Sequence, residues 1–174
     1  MAVLLAIDPS PIRTGWVLFN TDSKIPMDSG ICTAAEFRDT MLYSYVADAV
    51  VIETVESFGM AVGKSVFDTV EWIGRFSQVC EDQGIPVTRM PRREVKLHLC
   101  NSCRAKDGNI RQACMDRYGS TKDAAIGKKA SPGPLHGFKG DMWAALALAL
   151  TLTERDGTTT NHNERETTQC QTTE

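Results

Sequence analysis

Two short stretches of this chain hold no residue suited to face water. The first is Val3, Leu4, Leu5, Ala6 and Ile7; the second is Ala49, Val50, Val51 and Ile52. A strand with one solvated face alternates apolar and polar residues, whereas an unbroken apolar run needs cover on both faces. Both stretches therefore predict strands inside a covered sheet. Each stops at an acid, Asp8 after the first and Glu53 after the second. Asp8 also opens the turn-forming sequence Asp8, Pro9, Ser10, Pro11.

The remaining pattern places other elements around these two. Residues 14–19 are rich in aromatic and β-branched types and predict the next strand, with a third over 27–33. Residues 35–45 have helical character. Val66, Val70, Ile73 and Cys80, with Phe67, Phe76 and Val79 beside them, give a helical stripe over 64–83, and Gly84 is a natural stop. Residues 85–90 predict a fifth strand. Asp107 is placed to cap a helix running to about residue 118, before Gly119. Gly, Pro and Lys in residues 120–140 predict a loop, and 141–153, apolar on every side, a buried helix. Residues 154–174 contain seven threonines and no large apolar side chain, which predicts a disordered polar tail. The expectation is one α/β domain over residues 1–153, with a mixed five-stranded sheet flanked by helices.

A chain of 174 residues suits a single core. No basic stretch precedes the first apolar run, and the longest uncharged apolar run is too short to span a bilayer, so a soluble, cytoplasmic protein without membrane partners is expected. In that setting the six cysteines are expected as reduced thiols. The net charge of -3 conceals an asymmetry. Residues 89–139 hold twelve Lys/Arg against four Asp/Glu, while the rest of the chain holds seven against eighteen. A basic block beside an acidic body suits an enzyme that grips a polyanion and works on it with carboxylates, although a solvated surface shows the same imbalance.

Three acids sit where burial makes charge expensive: Asp8, Glu53 and Asp141, which opens the apolar helix. Carboxylates against a core need a cation, and Mg²⁺ or Mn²⁺ takes such hard oxygen ligands; phosphodiester cleavage often uses two of these ions. Each acid has a plainer reading. Asp8 before Pro9 can simply start a turn, and Asp141 can simply cap its helix. Glu53 has no capping role at a strand end.

Ala6-Ile7-Asp8-Pro9-Ser10 followed by Thr14-Gly15-Trp16 resembles the first catalytic strand and turn of the RuvC resolvases. Val51-Ile52-Glu53 resembles their second motif, and Asp141 leading Met142-Trp143-Ala144-Ala145-Leu146 resembles the last. Further stretches, among them Trp72-Ile73-Gly74-Arg75-Phe76 and Arg93-Glu94-Val95-Lys96-Leu97, resemble phage-encoded RuvC-like proteins. The resemblance covers residues 1–153. It implies an RNase H-like fold, a homodimer, Mg²⁺ or Mn²⁺ (two per site), and paired nicks across a four-way (Holliday) DNA junction. Asp8, Glu53 and Asp141 carry over as metal ligands. The family's usual fourth ligand lies three residues before the last aspartate, where this chain has Phe138. His136 and Glu56 are the candidate substitutes, as ligand or proton shuttle. Phe58 and Met60 follow the second acid where the family places an aromatic that stacks at the opened junction; packing in the core is the other role open to Phe58.

The candidate phosphate contacts are Arg89, Arg92, Arg93, Lys96, Arg104, Lys106, Lys128, Lys129 and Lys139. His98, Cys100, Cys103 and Cys114 do not make a persuasive zinc site, because a single C-x-x-C pair lacks a second at proper spacing. Two other functions remain open: an RNase H-fold nuclease acting on RNA–DNA hybrids or structured RNA, and a non-catalytic protein that binds branched DNA. An actin-like nucleotide-binding fold is disfavoured by length.

Overall fold

The computed structural model describes residues 2–56, 59, 61–119 and 121–169. Phe58 and Met60, two of the expected DNA contacts, lie outside them. Five strands form one mixed sheet: β1 (Val3–Asp8), β2 (Arg13–Asn20), β3 (Ile25–Thr33), β4 (Ala49–Thr54) and β5 (Val87–Pro91), in the order β3-β2-β1-β4-β5. The first three pair antiparallel as a meander, and β1–β4 and β4–β5 pair parallel.

The two unbroken apolar runs occupy central positions, and alternation explains their composition. Leu4, Ala6 and Val51 pack on one face with Val17, Phe19, Leu146 and Leu150. Leu5, Ile7, Val50 and Ile52 pack on the other with Trp16, Phe37, Ile73 and Phe76. The first face is covered by α4 (Arg92–Cys100), α5 (Asp107–Asp116) and α7 (Met142–Gln169). The second is covered by α3 (Lys64–Asp82) and by a helical run made of α1 (Ala34–Glu36), a π-helical turn (Phe37–Met41) and α2 (Leu42–Ser44). Burying each Leu or Ile side chain stabilises by about 1.5–3 kcal/mol, so neither face tolerates a polar replacement.

Three sequence expectations need correction. The stripe on α3 is buried only in its second half, at Ile73, Phe76 and Cys80; Phe67 and Val70 are exposed. Periodicity reports which face is apolar, not how far along the helix a partner reaches. Residues 120–140 are not a bare loop. They contain α6 (Lys122–Ala125), capped by the Thr121 hydroxyl, and a small hairpin of β6 (Gly127–Lys128) and β7 (Ser131–Pro132). Fully buried Ala125 and Leu135 anchor this segment. Gly127 takes a φ of +70°, and a Cβ there would lie 2.3 Å from the Ser131 carbonyl oxygen. The hairpin closes only on glycine at that position.

The third correction concerns where the last helix ends. The helix that begins at Met142 does not end at Thr153 but continues to Gln169. Glu154 accepts hydrogen bonds from Arg117 Nε (2.6 Å) and Nη2 (2.9 Å) and meets His98 Nε2 at 2.6 Å. Arg155 pairs with Glu94. Ion pairs rather than apolar burial fasten this turn, and an argument from missing apolar residues overlooks them. No helix among the described residues is long and apolar enough to cross a membrane.

Candidate active site

The register of the parallel pair brings the first two acids together. Ile7 pairs with Ile52, so Asp8 and Glu53 each stand one residue further along neighbouring strands. By alternation their side chains share the face of Leu4, Ala6 and Val51, the face that α7 covers. This is the carboxyl end of parallel strands, where open α/β sheets commonly build their sites. Asp141 arrives from the α7 side, and its carbonyl accepts the amides of Ala144 and Ala145 to start that helix. It packs flat on Gly15, the β2 partner of Asp8: a Cβ on Gly15 would lie 2.5 Å from the Asp141 carbonyl carbon and oxygen. The missing side chain at Gly15 lets the third acid reach the first.

Arg92, the first residue of α4, enters the same place directly after β5. Its Nη1 donates to both Glu53 oxygens, at 3.2 and 3.0 Å. Its Nη2 donates to Asp107 Oδ1 at 2.6 Å. Asp107 is the first residue of α5, and Lys106 rather than Asp107 is the helix cap. A cleft of about 100 Å³ is lined by Asp8, Arg92, Asp107, Asp141 and Trp143. Arg92 also borders a larger cleft of about 640 Å³, shared with Glu53, Glu56, Arg93, Lys96 and Cys103.

The electrostatics follow from crowding acids on a desolvated edge. Burial, then the neighbouring Glu53, pushes Asp8 up to about 8; Asp141 and Asp107 add to the rise, and Arg92 opposes it. Burial also raises Glu53, against the pull of Arg92. Asp107 is held below the usual carboxylate range by its hydrogen bond from Arg92. Burial works against the Arg92 charge, but Glu53 and Asp107 outweigh it and hold the guanidinium more basic than usual. These acids together demand more positive charge than one arginine brings.

A divalent cation of the Mg²⁺ or Mn²⁺ class suits such a set, since the donors are all hard carboxylate oxygens. Among the described residues, no three His, Cys, Asp or Glu side chains are gathered closely enough to enclose one ion. The donor chemistry fits such an ion, while Arg92 stands bonded to Glu53.

The other expected residues are distributed unevenly. Glu56 is exposed and lines the larger cleft beside Glu53. His136 is exposed, its Nδ1 lies 3.2 Å from the Ile126 carbonyl, and it lines neither cleft. Phe138, at the position of the family's fourth ligand, packs its ring 5.4 Å from that of Trp143, which makes this corner apolar. Arg93 and Lys96 border the larger cleft. Arg89 lies on the opposite face of the sheet, where its Nε donates to Ser77 Oγ on α3 at 3.3 Å. Arg104 and Lys106 are exposed just before α5, and Lys139 is exposed next to Gly140, which lines the small cleft. Lys128 and Lys129 are exposed on the β6–β7 hairpin, with Lys128 at 3.9 Å from Asp123. His98 is engaged with Glu154, Cys114 is buried and Cys103 lines the larger cleft, so the structure does not gather a zinc set. Sequence reasoning missed the pairing of Arg92 with Asp107. The signal in the sequence is an acid of helix-cap type standing within a basic block.

No protein-family model matches the chain, and no curated protein matches it. Solved structures do. The RuvC structure of Thermus thermophilus is similar with a TM-score of 0.60 at 17% identity, over 86% of this chain and 92% of that one. RuvC of T. thermophilus in complex with Holliday junction substrate gives 0.63 at 17% identity, over 87% and 92%. The yeast mitochondrial Holliday junction resolvase Ydc2 gives 0.56 at 10% identity, over 87% and 79%. The mixed five-stranded sheet with helices on both faces is the RNase H-like fold of the RuvC resolvases.

Proposed function

We propose that this protein is a divalent-metal-dependent endonuclease that resolves four-way DNA junctions, acting as a homodimer. The observation that carries the reading is the approach of Glu53 and Asp141 to Asp8, from three distant points of the sequence, at one edge of this particular fold. In that reading the three carboxylates hold Mg²⁺ or Mn²⁺, which would activate water and stabilise the leaving oxygen of the phosphodiester. Asp8 and Glu53 are supplied on neighbouring strands, so their separation is fixed by the sheet. Asp141 is fixed against β2 by close contact at Gly15. Arg93 and Lys96, on the rim of the larger cleft, would hold phosphates either side of the scissile one and position the strand without reading its bases. Glu56 stands on the same rim and is the better placed of the two candidate substitutes for the missing fourth ligand.

Kinship with phage-encoded resolvases and residence in a bacterial cytoplasm belong to the same reading and are supported by the sequence resemblance. Structural similarity to a RuvC that is complexed with Holliday junction substrate favours branched DNA over RNA–DNA hybrid. The test is cleavage of one labelled four-way junction beside linear duplex, flap and RNA–DNA hybrid of matched sequence, with Mg²⁺ or Mn²⁺. Paired, symmetric nicks confined to the junction are expected. Preferential cutting of the hybrid would replace this reading with that of a hybrid nuclease, and binding without cutting would leave a junction-binding protein.

A further inference from the structure

The bond between Arg92 and Glu53 sits badly with a site that takes a divalent cation. The guanidinium nitrogen spans both oxygens of Glu53 and so occupies the edge on which that carboxylate would chelate an ion. A dication on the same carboxylates would lie in contact with a second positive charge on a desolvated edge, where like charges repel strongly. The two anchors of Arg92 differ in kind. The Glu53 side chain is only 14% exposed, whereas Asp107 is 82% exposed at the mouth of the small cleft. Arg92 reaches both from the first turn of a helix, through a long side chain that can rotate while its backbone stays fixed.

We propose that Arg92 is a resident counter-cation that competes with the metal for Glu53. Its guanidinium neutralises the buried acid while the site is empty, and metal entry requires it to let go. Asp107 holds the other nitrogen, so release from Glu53 does not expel Arg92 from the cleft. The guanidinium is left at the mouth, facing the incoming phosphate. This rests on the reading of the three acids as metal ligands. It adds a mechanical consequence: the empty site is stabilised by a contact that the loaded site lacks.

The test is direct Mn²⁺ binding to the full chain without DNA, by calorimetry or by the electron paramagnetic resonance of free Mn²⁺, for wild type, Arg92→Gln and Arg92→Lys. Thermal unfolding of each is recorded with and without Mn²⁺. Arg92→Gln is expected to bind Mn²⁺ about tenfold more tightly, the size of an ordinary coupling between two ligands of one site. It is expected to melt lower than wild type without metal and to gain more from adding it. Arg92→Lys keeps the charge and is expected to bind close to wild type. A merely structural arginine would lower the melting temperature in both conditions and bring no gain in affinity. Equal or weaker binding by a folded Arg92→Gln protein overturns the proposal and leaves the metal reading intact. No Mn²⁺ binding by either wild type or Arg92→Gln overturns the metal reading as well.

Discussion

Replacing Gly15 by alanine tests whether close packing sets the position of the third acid. The added Cβ would lie 2.5 Å from the Asp141 carbonyl carbon and oxygen and 2.7 Å from the Asp141 Cβ. Ordinary contact needs roughly an ångström more, and the obstacle is backbone, not the free end of a side chain. Neither partner yields easily: β2 is paired on both sides, and α7 is buried along its first turns. Overpacking of this kind costs about 1–3 kcal/mol. For a chain of this size each kcal/mol lowers the melting temperature by about 2–4 °C. The larger effect falls on chemistry, where a misplacement of about 1 Å can cost on the order of a hundredfold in rate. Gly74→Ala is the matched control. Nothing lies within 4 Å of a Cβ there, and the site is an exposed position in α3. The same substitution should stabilise by about 0.4–1 kcal/mol. Thermal unfolding and junction cleavage are measured on both. A Gly15→Ala protein with wild-type melting and cleavage would show that Asp141 is not held by this contact.

Asp8→Asn, Glu53→Gln and Asp141→Asn should each abolish cleavage while leaving junction binding largely intact, because the basic residues supply the affinity; gel-shift and nicking assays on the same preparations separate the two effects. Truncation after Thr153 removes Glu154 and its bonds to Arg117 and His98, which should cost about 1–3 kcal/mol, whereas truncation after Asp156 keeps them. Equal melting of the two shortened chains would mean that these bonds contribute nothing. Asp8 ionises at about 8 in the folded protein, above its unfolded value. Its contribution is therefore fully present below about pH 4 and is lost as pH rises towards 8, so metal-free stability should carry a falling component across that window. Urea unfolding from pH 4 to 8 should show that component removed in Asp8→Asn.

Strands β1 and β4 and the start of α7 were legible because full burial leaves a compositional mark that no surface element shares. Their acids stood out because a carboxylate beside such a run is costly to bury without a partner. The Arg92–Asp107 pair was not, since two charged residues fifteen positions apart leave no periodic trace and each has a plain local reading. Arg89 parts from its sequence neighbours in a different way. Proximity in sequence to Arg92 suggested a shared surface, but strand alternation and the reach towards Ser77 place it on the far face of the sheet. The exposed first half of α3 and the small hairpin after α6 depend on which partner lies where, and a single sequence does not carry that information.

The helices on the site face share a geometry with a mechanical consequence. α4 begins with Arg92, α5 begins with Asp107, and α7 begins directly after Asp141, so three helices present their first residues to one small cleft. Towards their other ends, His98 of α4, Arg117 at the close of α5 and Glu154 of α7 meet in one knot of charge. The three helices thus form a tripod, with its feet in the cleft and its apex tied at Glu154, with the Arg155–Glu94 pair beside it. Glu154 lies thirteen residues beyond Asp141, a lever of about 20 Å at 1.5 Å per residue. A splay of a few degrees at the apex would move the feet by about an ångström over that length. A residue remote from the reacting atoms is thereby placed to govern how closely an arginine and two aspartates approach one another, and a defect at Glu154 would be felt first as a loosened site rather than as an unfolded protein.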